Sequence, residues 1–166
     1  MRKGSELESL IRRVSQKLAE AQVMRLFKWP VDQIIQERAI RCTSCGAFSN
    51  GLSLLHTHRT GCDFFGYTSR GQHVALEAKG IAKPSLRIYC EEGAGVHIHQ
   101  MLHLEEVARA GGKAVIVWRN DTGITAMEIR AAIGLAKGRK SIPWTGVPLY
   151  AADEDNLYKA ILSACA

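Results

Sequence analysis

The first apolar pattern of the chain has the period of a helix. From Ser5 to Leu26, apolar side chains recur at spacings of three and four residues, as they do on one face of an α-helix. Ser5 is followed three positions later by Glu8, which is the arrangement of a helix capping box. The pattern predicts a first helix with one buried stripe, formed by Leu7, Leu10, Ile11, Val14 and Leu18.

Shorter apolar segments further along predict strands. Residues 61–80, GCDFFGYTSRGQHVALEAKG, contain two such segments around a polar turn centred on Arg70, which is the pattern of a β-hairpin. The continuous apolar run KAVIVW predicts a buried central strand, and ITAMEIR predicts a strand that pairs with it. One more strand is predicted over KPSLRIYC.

Two further helices complete the predicted order of elements. One covers VHIHQMLHLEEVARAGG, and the other runs from about Glu154 to Ala164. This order predicts an α/β fold in which a sheet is flanked by helices, and 166 residues suit a single domain. Residues 41–60, RCTSCGAFSNGLSLLHTHRT, show no sustained period and predict an inserted, irregular arm. The preceding VDQIIQERAI fits either a short helix or an extended segment.

Composition limits the class of protein. The chain is 46% apolar and 23% charged, which is typical of a soluble globular protein. It has no apolar run of the roughly 18 residues that a membrane span needs, and no apolar signal segment, so we expect a cytoplasmic protein. Its five cysteines are then expected as thiols or metal ligands. The net charge of +6 favours a polyanionic partner such as nucleic acid.

The hairpin carries a pair of acids that needs an explanation. With the turn centred on Arg70, Asp63 lies directly opposite Glu77, where like charges repel each other. A divalent cation between the two carboxylates would remove this repulsion, and Mg²⁺ or Mn²⁺ suits such oxygen ligands. Lys79 follows Glu77 on the same face, where its ammonium is suited to stabilise a phosphoryl transition state. The alternative is a surface hairpin in which Lys79 simply neutralises Glu77.

The acid of one strand and the Glu-x-Lys of the next resemble the core motif of the PD-(D/E)xK nucleases. A longer resemblance, to the RecU family of Holliday junction resolvases, covers most of the chain in the same order. Its segments are GSELES, FKWP, CDFFG, LEAKG, HIHQMLHL, GGKAVIVW and GRKSIP. The resemblance implies a restriction-endonuclease-like core, with a central mixed β-sheet flanked by helices and an arm or stalk inserted at about 41–60.

The same resemblance implies roles for individual residues. Asp63, Glu77 and Gln100 would hold the metal, Lys79 would stabilise the transition state, and Glu8 would be an accessory acid. Gln100 has an alternative role as a helix residue bonded to a loop backbone. For Glu8 the alternative is the capping box described above, which accounts for it without catalysis.

The arm contains residue types that bind zinc. The spacing Cys42-x-x-Cys45 is typical of one half of a structural Zn²⁺ site, and the alternative is free thiols. The possible zinc ligands are Cys42, Cys45, His56, His58 and Cys62. Cys62 also follows Gly61 at a place where the RecU family has two threonines, so one threonine ligand of the catalytic metal is missing in this chain.

These features predict a Mg²⁺-dependent endonuclease that resolves four-way DNA junctions by paired nicks in the cytoplasm of a bacterial or phage-infected cell, associated with the nucleoid. Two symmetric nicks imply a homodimer. The alternatives are another PD-(D/E)xK DNA nuclease and a non-catalytic nucleic-acid-binding module stiffened by zinc. The basic side chains expected at the DNA are Lys28, Arg38, Arg41, Arg59, Arg70, Arg139 and Lys140.

Overall fold

The structure, a computed structural model, describes residues 3–29, 33–41, 48–56 and 61–166, with the side chains of 4–29 and 61–166. The chain divides into two compact units, one of Met1–Trp29 with Gly61–Ala166 and one of Pro30–Thr60. The larger unit contains the hairpin with the opposed acids. The smaller unit contains the predicted arm.

The described residues form four α-helices and nine strands. The helices are α1 (Lys3–Glu20), α2 (Ile98–Arg109), α3 (Ile129–Ala136) and α4 (Glu154–Cys165). The strands are β1 (Met24–Lys28), β2 (Gln33–Arg41), β3 (Phe48–His56), β4 (Phe64–Thr68), β5 (His73–Gly80), β6 (Ser85–Arg87), β7 (Lys113–Arg119), β8 (Ile124–Glu128) and β9 (Ser141–Pro143).

The larger unit is built on a five-stranded sheet with the order β1-β4-β5-β7-β8. Strands β5 and β7 run parallel, whereas the other neighbours in this sheet run antiparallel. Strands β6 and β9 form a small antiparallel sheet of their own. The main sheet is therefore mixed, as predicted.

The hairpin of β4 and β5 has the register expected from a turn centred on Arg70. Phe64 pairs with Leu76, and Phe65 pairs with Ala75. Gly71 in the turn has a φ of +76°, a conformation that glycine adopts without steric cost. The predicted alignment of the two strands is confirmed.

Helices α1 and α4 pack on one face of the sheet, and α2 and α3 pack on the other. The five apolar residues of the predicted α1 stripe are all buried in the first of these two layers, against residues of β5 and β7 such as Val74 and Val115. The second layer packs Met101 and Leu104 of α2 against Ile116 and Trp118 of β7. Strand β5 is therefore covered on both faces.

Two elements lie where the sequence predicted something else. Helix α1 ends at Glu20, and β1 occupies the rest of the predicted first helix; in β1 exposed Arg25 alternates with buried residues, which is the period of a strand. Helix α3 follows β8 directly, because the Glu128 carboxylate accepts hydrogen bonds from the first backbone N–H groups of the helix. Ser5 lies inside α1, so the predicted capping box at Ser5 is wrong.

The smaller unit contains an antiparallel pair of strands, described here by itself. Strands β2 and β3 pair from Gln33 with His56 to Arg41 with Phe48. The segment that fitted either a helix or a strand is therefore extended, and half of the predicted irregular arm is regular. The side-chain pattern of β3 does not predict a strand, and its extended conformation is stabilised by backbone pairing with β2.

No helix in the described ranges is long and apolar enough to cross a membrane.

Gly66 marks the closest approach of β1 to β4. A Cβ atom at Gly66 would lie 1.8 Å from the backbone oxygen of Arg25, which is held in the strand pair. We expect Gly66→Ala to lower the free energy of unfolding, measured with urea, by more than about 2 kcal/mol. Gly134→Ala is the matched control: a Cβ there meets open space on α3, and it should stabilise by about 0.5–1 kcal/mol. Equal effects of the two substitutions would contradict this packing.

Candidate active site at one edge of the sheet

Strands β1, β5 and β7 end at the same edge of the sheet, because they run in one direction and β4 runs against them. Helix α1 begins there too: Glu6 Oε2 lies 3.3 Å from Arg119 Nη1, and Glu8 forms an ion pair with Lys28. Five charged side chains lie at or directly beside these strand ends, and we call this group the charged edge. They are Lys28, Asp63, Glu77, Lys79 and Arg119.

Asp63 is fixed by the backbone on both sides of it. Its Oδ2 accepts a hydrogen bond from the Ala78 N–H at 2.9 Å, so its carboxylate lies against the end of β5. The Trp29 N–H donates to the Asp63 carbonyl at 2.8 Å and continues the pairing of β1 with β4. The register of β4 and β5 starts at Phe64 with Leu76, one position before Asp63 and Glu77, and the charge of Asp63 acts on Glu77, so the structure brings the two predicted acids together.

Glu77 is the buried member of the pair, with a relative exposure of 0%. Its Oε1 lies 2.6 Å from Lys79 Nζ and accepts a hydrogen bond from Gln100 Nε2, also at 2.6 Å. Its Oε2 is buried and has no hydrogen-bond partner among the described residues. One carboxylate oxygen of the site is therefore left for a ligand.

The protonation of Glu77 reflects this environment. Burial raises the pKa of Glu77 to about 8, and the charge of Asp63 acts in the same direction, while Lys79 opposes both. With such a pKa, ionisation of the Glu77 carboxyl at neutral pH costs free energy. A cation beside both acids would offset that cost.

The donor set fits a divalent cation of the Mg²⁺ type. The described residues contain no group of three or more His, Cys, Asp or Glu side chains placed to bind a metal. Mg²⁺, however, commonly takes one or two carboxylates from the protein, and water and phosphate oxygens complete its shell. The Asp63 carboxylate and the free Oε2 of Glu77 supply such a pair.

Gln100 reaches the site through its amide nitrogen. Its Oε1 accepts a hydrogen bond from the His97 N–H at 3.0 Å, and its Nε2 donates to Glu77. In this arrangement the amide orients Glu77 and connects it to the start of α2. Its predicted role as an oxygen ligand stays a prediction, and its alternative bond to loop backbone is present as well.

Glu8 and Lys28 lie at the charged edge as a pair. Their side chains are each 33% exposed and in contact, so the charge of Lys28 is offset by Glu8. The sequence predicts separate roles for the two residues and does not predict their contact. It also did not predict the pair of Arg119 with Glu6, although Arg119 directly follows a buried strand at its carboxyl end.

Packing explains why this chain has Gly61 and Cys62 where the RecU family has two threonines. A Cβ at Gly61 would lie 2.5 Å from Cγ of His103, so the ring leaves no room for a threonine side chain. The Cys62 side chain is buried and its thiol donates to the Phe64 carbonyl at 3.1 Å. Burial, with the charge of Glu77, raises the pKa of Cys62 to about 12, so this residue is a neutral thiol at physiological pH.

The described residues do not support a zinc site. Cys62 is a packed thiol of the core and not a thiolate available to a metal. The other predicted zinc ligands lie outside the described side chains; they are Cys42, Cys45, His56 and His58.

The predicted DNA-binding residues are spread over the molecule. Arg70 lies in the turn between β4 and β5, at the sheet edge opposite the charged edge. Arg139 and Lys140 are exposed just before β9. Arg38, Arg41 and Arg59 lie outside the described side chains.

Comparison with known proteins shows the fold. No family model and no curated protein matches the chain. Among solved structures it is similar to Hjc, a Holliday junction resolvase from the archaeal hyperthermophile Archaeoglobus fulgidus, with a TM-score of 0.50 and 13% sequence identity over 92% of this chain and 98% of that one. The likeness confirms the predicted restriction-endonuclease-like core, a mixed sheet flanked by helices.

The raised pKa of Glu77 predicts how the metal-free protein responds to pH. A carboxyl with a raised folded-state pKa stabilises the fold fully below its unfolded value of about 4.5, and this contribution is lost as the pH rises through about 8. We therefore expect the free energy of unfolding, measured with urea in EDTA, to fall across this window. The free energy of unfolding of Glu77→Gln should fall less over this pH range, because an amide does not titrate. An equal fall in both proteins would exclude Glu77 as the source.

Proposed function

We propose that this protein is a Mg²⁺-dependent endonuclease that resolves four-way DNA junctions by hydrolysing phosphodiesters in paired nicks. The observation that carries the proposal is the placement of Asp63 beside the ion pair of Glu77 and Lys79 at one edge of a restriction-endonuclease-like sheet. Two carboxylates and one ammonium are groups suited to metal-assisted phosphodiester hydrolysis, and Oε2 of one carboxylate, Glu77, has no hydrogen-bond partner among the described residues.

Each residue then has a role that follows from its contacts. Asp63 and Glu77 would hold the ion, which would supply a Lewis acid and lower the pKa of a water molecule. Gln100 keeps the Glu77 carboxylate aligned by donating to Oε1, which leaves Oε2 for the ion. Lys79, whose side chain is 15% exposed, places its ammonium where negative charge develops on the phosphate oxygens.

A branched DNA substrate is supported by charge and by the structural relative. The net charge of +6 favours a polyanion, and the solved protein with a similar fold is itself named a Holliday junction resolvase. Paired nicks on a two-fold substrate need two active sites, so we propose a homodimer. The resemblance to the RecU family implies that the arm at about 41–60, which belongs to the unit Pro30–Thr60, is a stalk that enters the junction.

Asp63→Asn tests the metal-holding role directly. The amide keeps an acceptor oxygen for the Ala78 N–H but removes the charge that binds the ion. We expect cleavage of a synthetic four-way junction, followed on denaturing gels in Mg²⁺, to fall by about 10³-fold or more while binding in EDTA is kept. Glu20→Gln, at the far end of α1, is the matched control and should cleave normally.

Three outcomes of this assay separate the candidate functions. Wild-type protein that leaves junctions intact in both Mg²⁺ and Mn²⁺ but binds them would indicate a non-catalytic module. Equal cleavage of linear duplex and junction would indicate a different DNA nuclease of the same superfamily. Cleavage confined to junctions supports the proposal.

Lys79→Ala separates transition-state stabilisation from metal binding. Removal of the ammonium should lower the rate constant for cleavage by roughly 10²–10³-fold, because developing charge loses its partner. The rise of the melting temperature with Mg²⁺ should persist in Lys79→Ala and disappear in Asp63→Asn. Loss of the Mg²⁺-dependent rise in both variants would place Lys79 in the metal site instead.

A further inference from the structure

The face of the sheet that carries Glu77 continues into a group of aromatic side chains on β1 and β4. In the strand register, Phe27 lies opposite Phe65, and Arg25 lies opposite Tyr67. Their neighbours along the strands, Met24, Leu26 and Phe64, are buried in the layer of α1. Because side chains alternate along a strand, the four residues paired above lie on the opposite face. With Trp29 added, we call this set the aromatic face: Arg25, Phe27, Trp29, Phe65 and Tyr67.

The rings of the aromatic face lie in contact distance of one another. The ring centroids of Trp29 and Phe65 are 4.8 Å apart, those of Phe27 and Phe65 are 5.8 Å apart, and those of Phe27 and Tyr67 are 6.3 Å apart. Trp29 also packs edge-on against His103 of α2, with centroids 6.3 Å apart. The series therefore runs outward from α2 to solvent.

Its outer members are open to solvent. Helix α2 packs on β5 and β7, toward the middle of the sheet. Trp29 and Phe65 are partly buried against that layer, whereas Phe27 and Tyr67 are each 46% exposed. Two large rings are thus presented side by side on strands β1 and β4, where they offer apolar ring surface to a partner.

The aromatic face is continuous with the charged edge. The Trp29 N–H donates to the Asp63 carbonyl, and Phe65 follows Asp63 by two residues on the same strand face. Across β1, β4 and β5, the row of Trp29, Asp63 and Glu77 is followed by the row of Phe27, Phe65 and Ala75. A strand of DNA whose phosphate lies at the acids has bases within reach of the rings.

We propose that the aromatic face is a stacking platform for unpaired bases of branched DNA beside the site of cleavage. The inference rests on the proposed function and names the part of the substrate that this surface recognises. Aromatic rings accept any base because every base has a π-face, and Arg25 on the same face can meet a phosphate. A branch point offers bases that are easier to unstack than those within a duplex.

Charge favours DNA over a second copy of the chain as the occupant. On the described positions of β1, β4 and β5 that share this face, the acids are Asp63 and Glu77, and the outer row carries Arg25 and His73. The outer row of Arg25 and His73 contains no acid, and a second copy of the chain would bring a further net charge of +6 to this surface. Phosphates supply the negative charge that such a surface lacks.

The test uses the full chain carrying Asp63→Asn, in EDTA, so that no cleavage is involved. The probe is a four-way junction with the fluorescent base analogue aminopurine at the branch point, because stacking on an aromatic ring quenches its fluorescence. We expect Phe27→Leu with Tyr67→Leu to remove the quenching and to weaken junction binding by about tenfold. Binding of an unbranched duplex should change by less than about twofold.

Leucine keeps the face apolar, so a surface that docks protein should tolerate it and a surface that stacks bases should not. Tyr67→Phe keeps the ring and should keep both signals. Leu149→Ala, at another exposed apolar side chain, is the matched control. Far-UV circular dichroism and thermal unfolding show that each variant is folded.

The outcomes distinguish this inference from the proposed function. Unchanged quenching and affinity in the leucine variant overturn the platform, even if the wild type cleaves junctions. A change from dimer to monomer in sedimentation with unchanged DNA binding overturns it as well and assigns the face to protein contacts. If the wild type never cleaves junctions but quenching still depends on Phe27 and Tyr67, the platform is supported and the proposed nuclease function is rejected.

Discussion

Glu77 lies on a strand that is covered on both faces, and a carboxylate in that position loses the hydration that it has in water. The neighbouring groups recover part of this loss. Lys79 and the Gln100 amide contact one oxygen, Asp63 raises the cost of ionisation, and the second oxygen stays unpartnered among the described residues. The remaining cost of ionising Glu77 has to be offset by a proton on the carboxyl or by a cation beside the two acids, and this requirement connects the fold to the proposed chemistry.

The packing of α2 follows from the same requirement. The helix covers β5 and β7 and delivers Gln100 to Glu77 in its first turn, while the His97 N–H holds the oxygen of that amide. One turn later His103 packs against Gly61, so the residue before the buried Cys62 has to be small. A single helix thereby orients the acid and shapes the chain that leads into Asp63.

Helix α2 covers the middle strands β5 and β7 and leaves the neighbouring strands β1 and β4 largely uncovered on this face. Phe27 on β1 and Tyr67 on β4 are each 46% exposed on one face, whereas on the opposite face α1 buries apolar residues of the same strands. The two faces of these strands therefore differ, because one packs against a helix and the other exposes aromatic side chains. In this way the placement of a helix over β5 decides both where charge is buried and where aromatic surface is exposed.

The sequence by itself determined the local features whose signal is short in range. The stripe of α1, the hairpin register around Arg70, and the opposition of Asp63 and Glu77 all follow from a period of 3.6 or 2 residues. It did not separate β1 from α1, because five residues after a turn are too few to establish a new period, and it missed α3, whose cap is the last residue of β8.

Only the tertiary structure decided how far each of these residues is from water and what it touches. The orientation of the Gln100 amide, the pairing of Lys28 with Glu8, and the space around Gly61 depend on side chains distant in the sequence. The burial of Glu77 has the same origin, since it requires β7 on one side and α2 above. Spacing along the chain fixes which face a residue occupies, whereas its environment is the sum of contacts that other elements bring to that face.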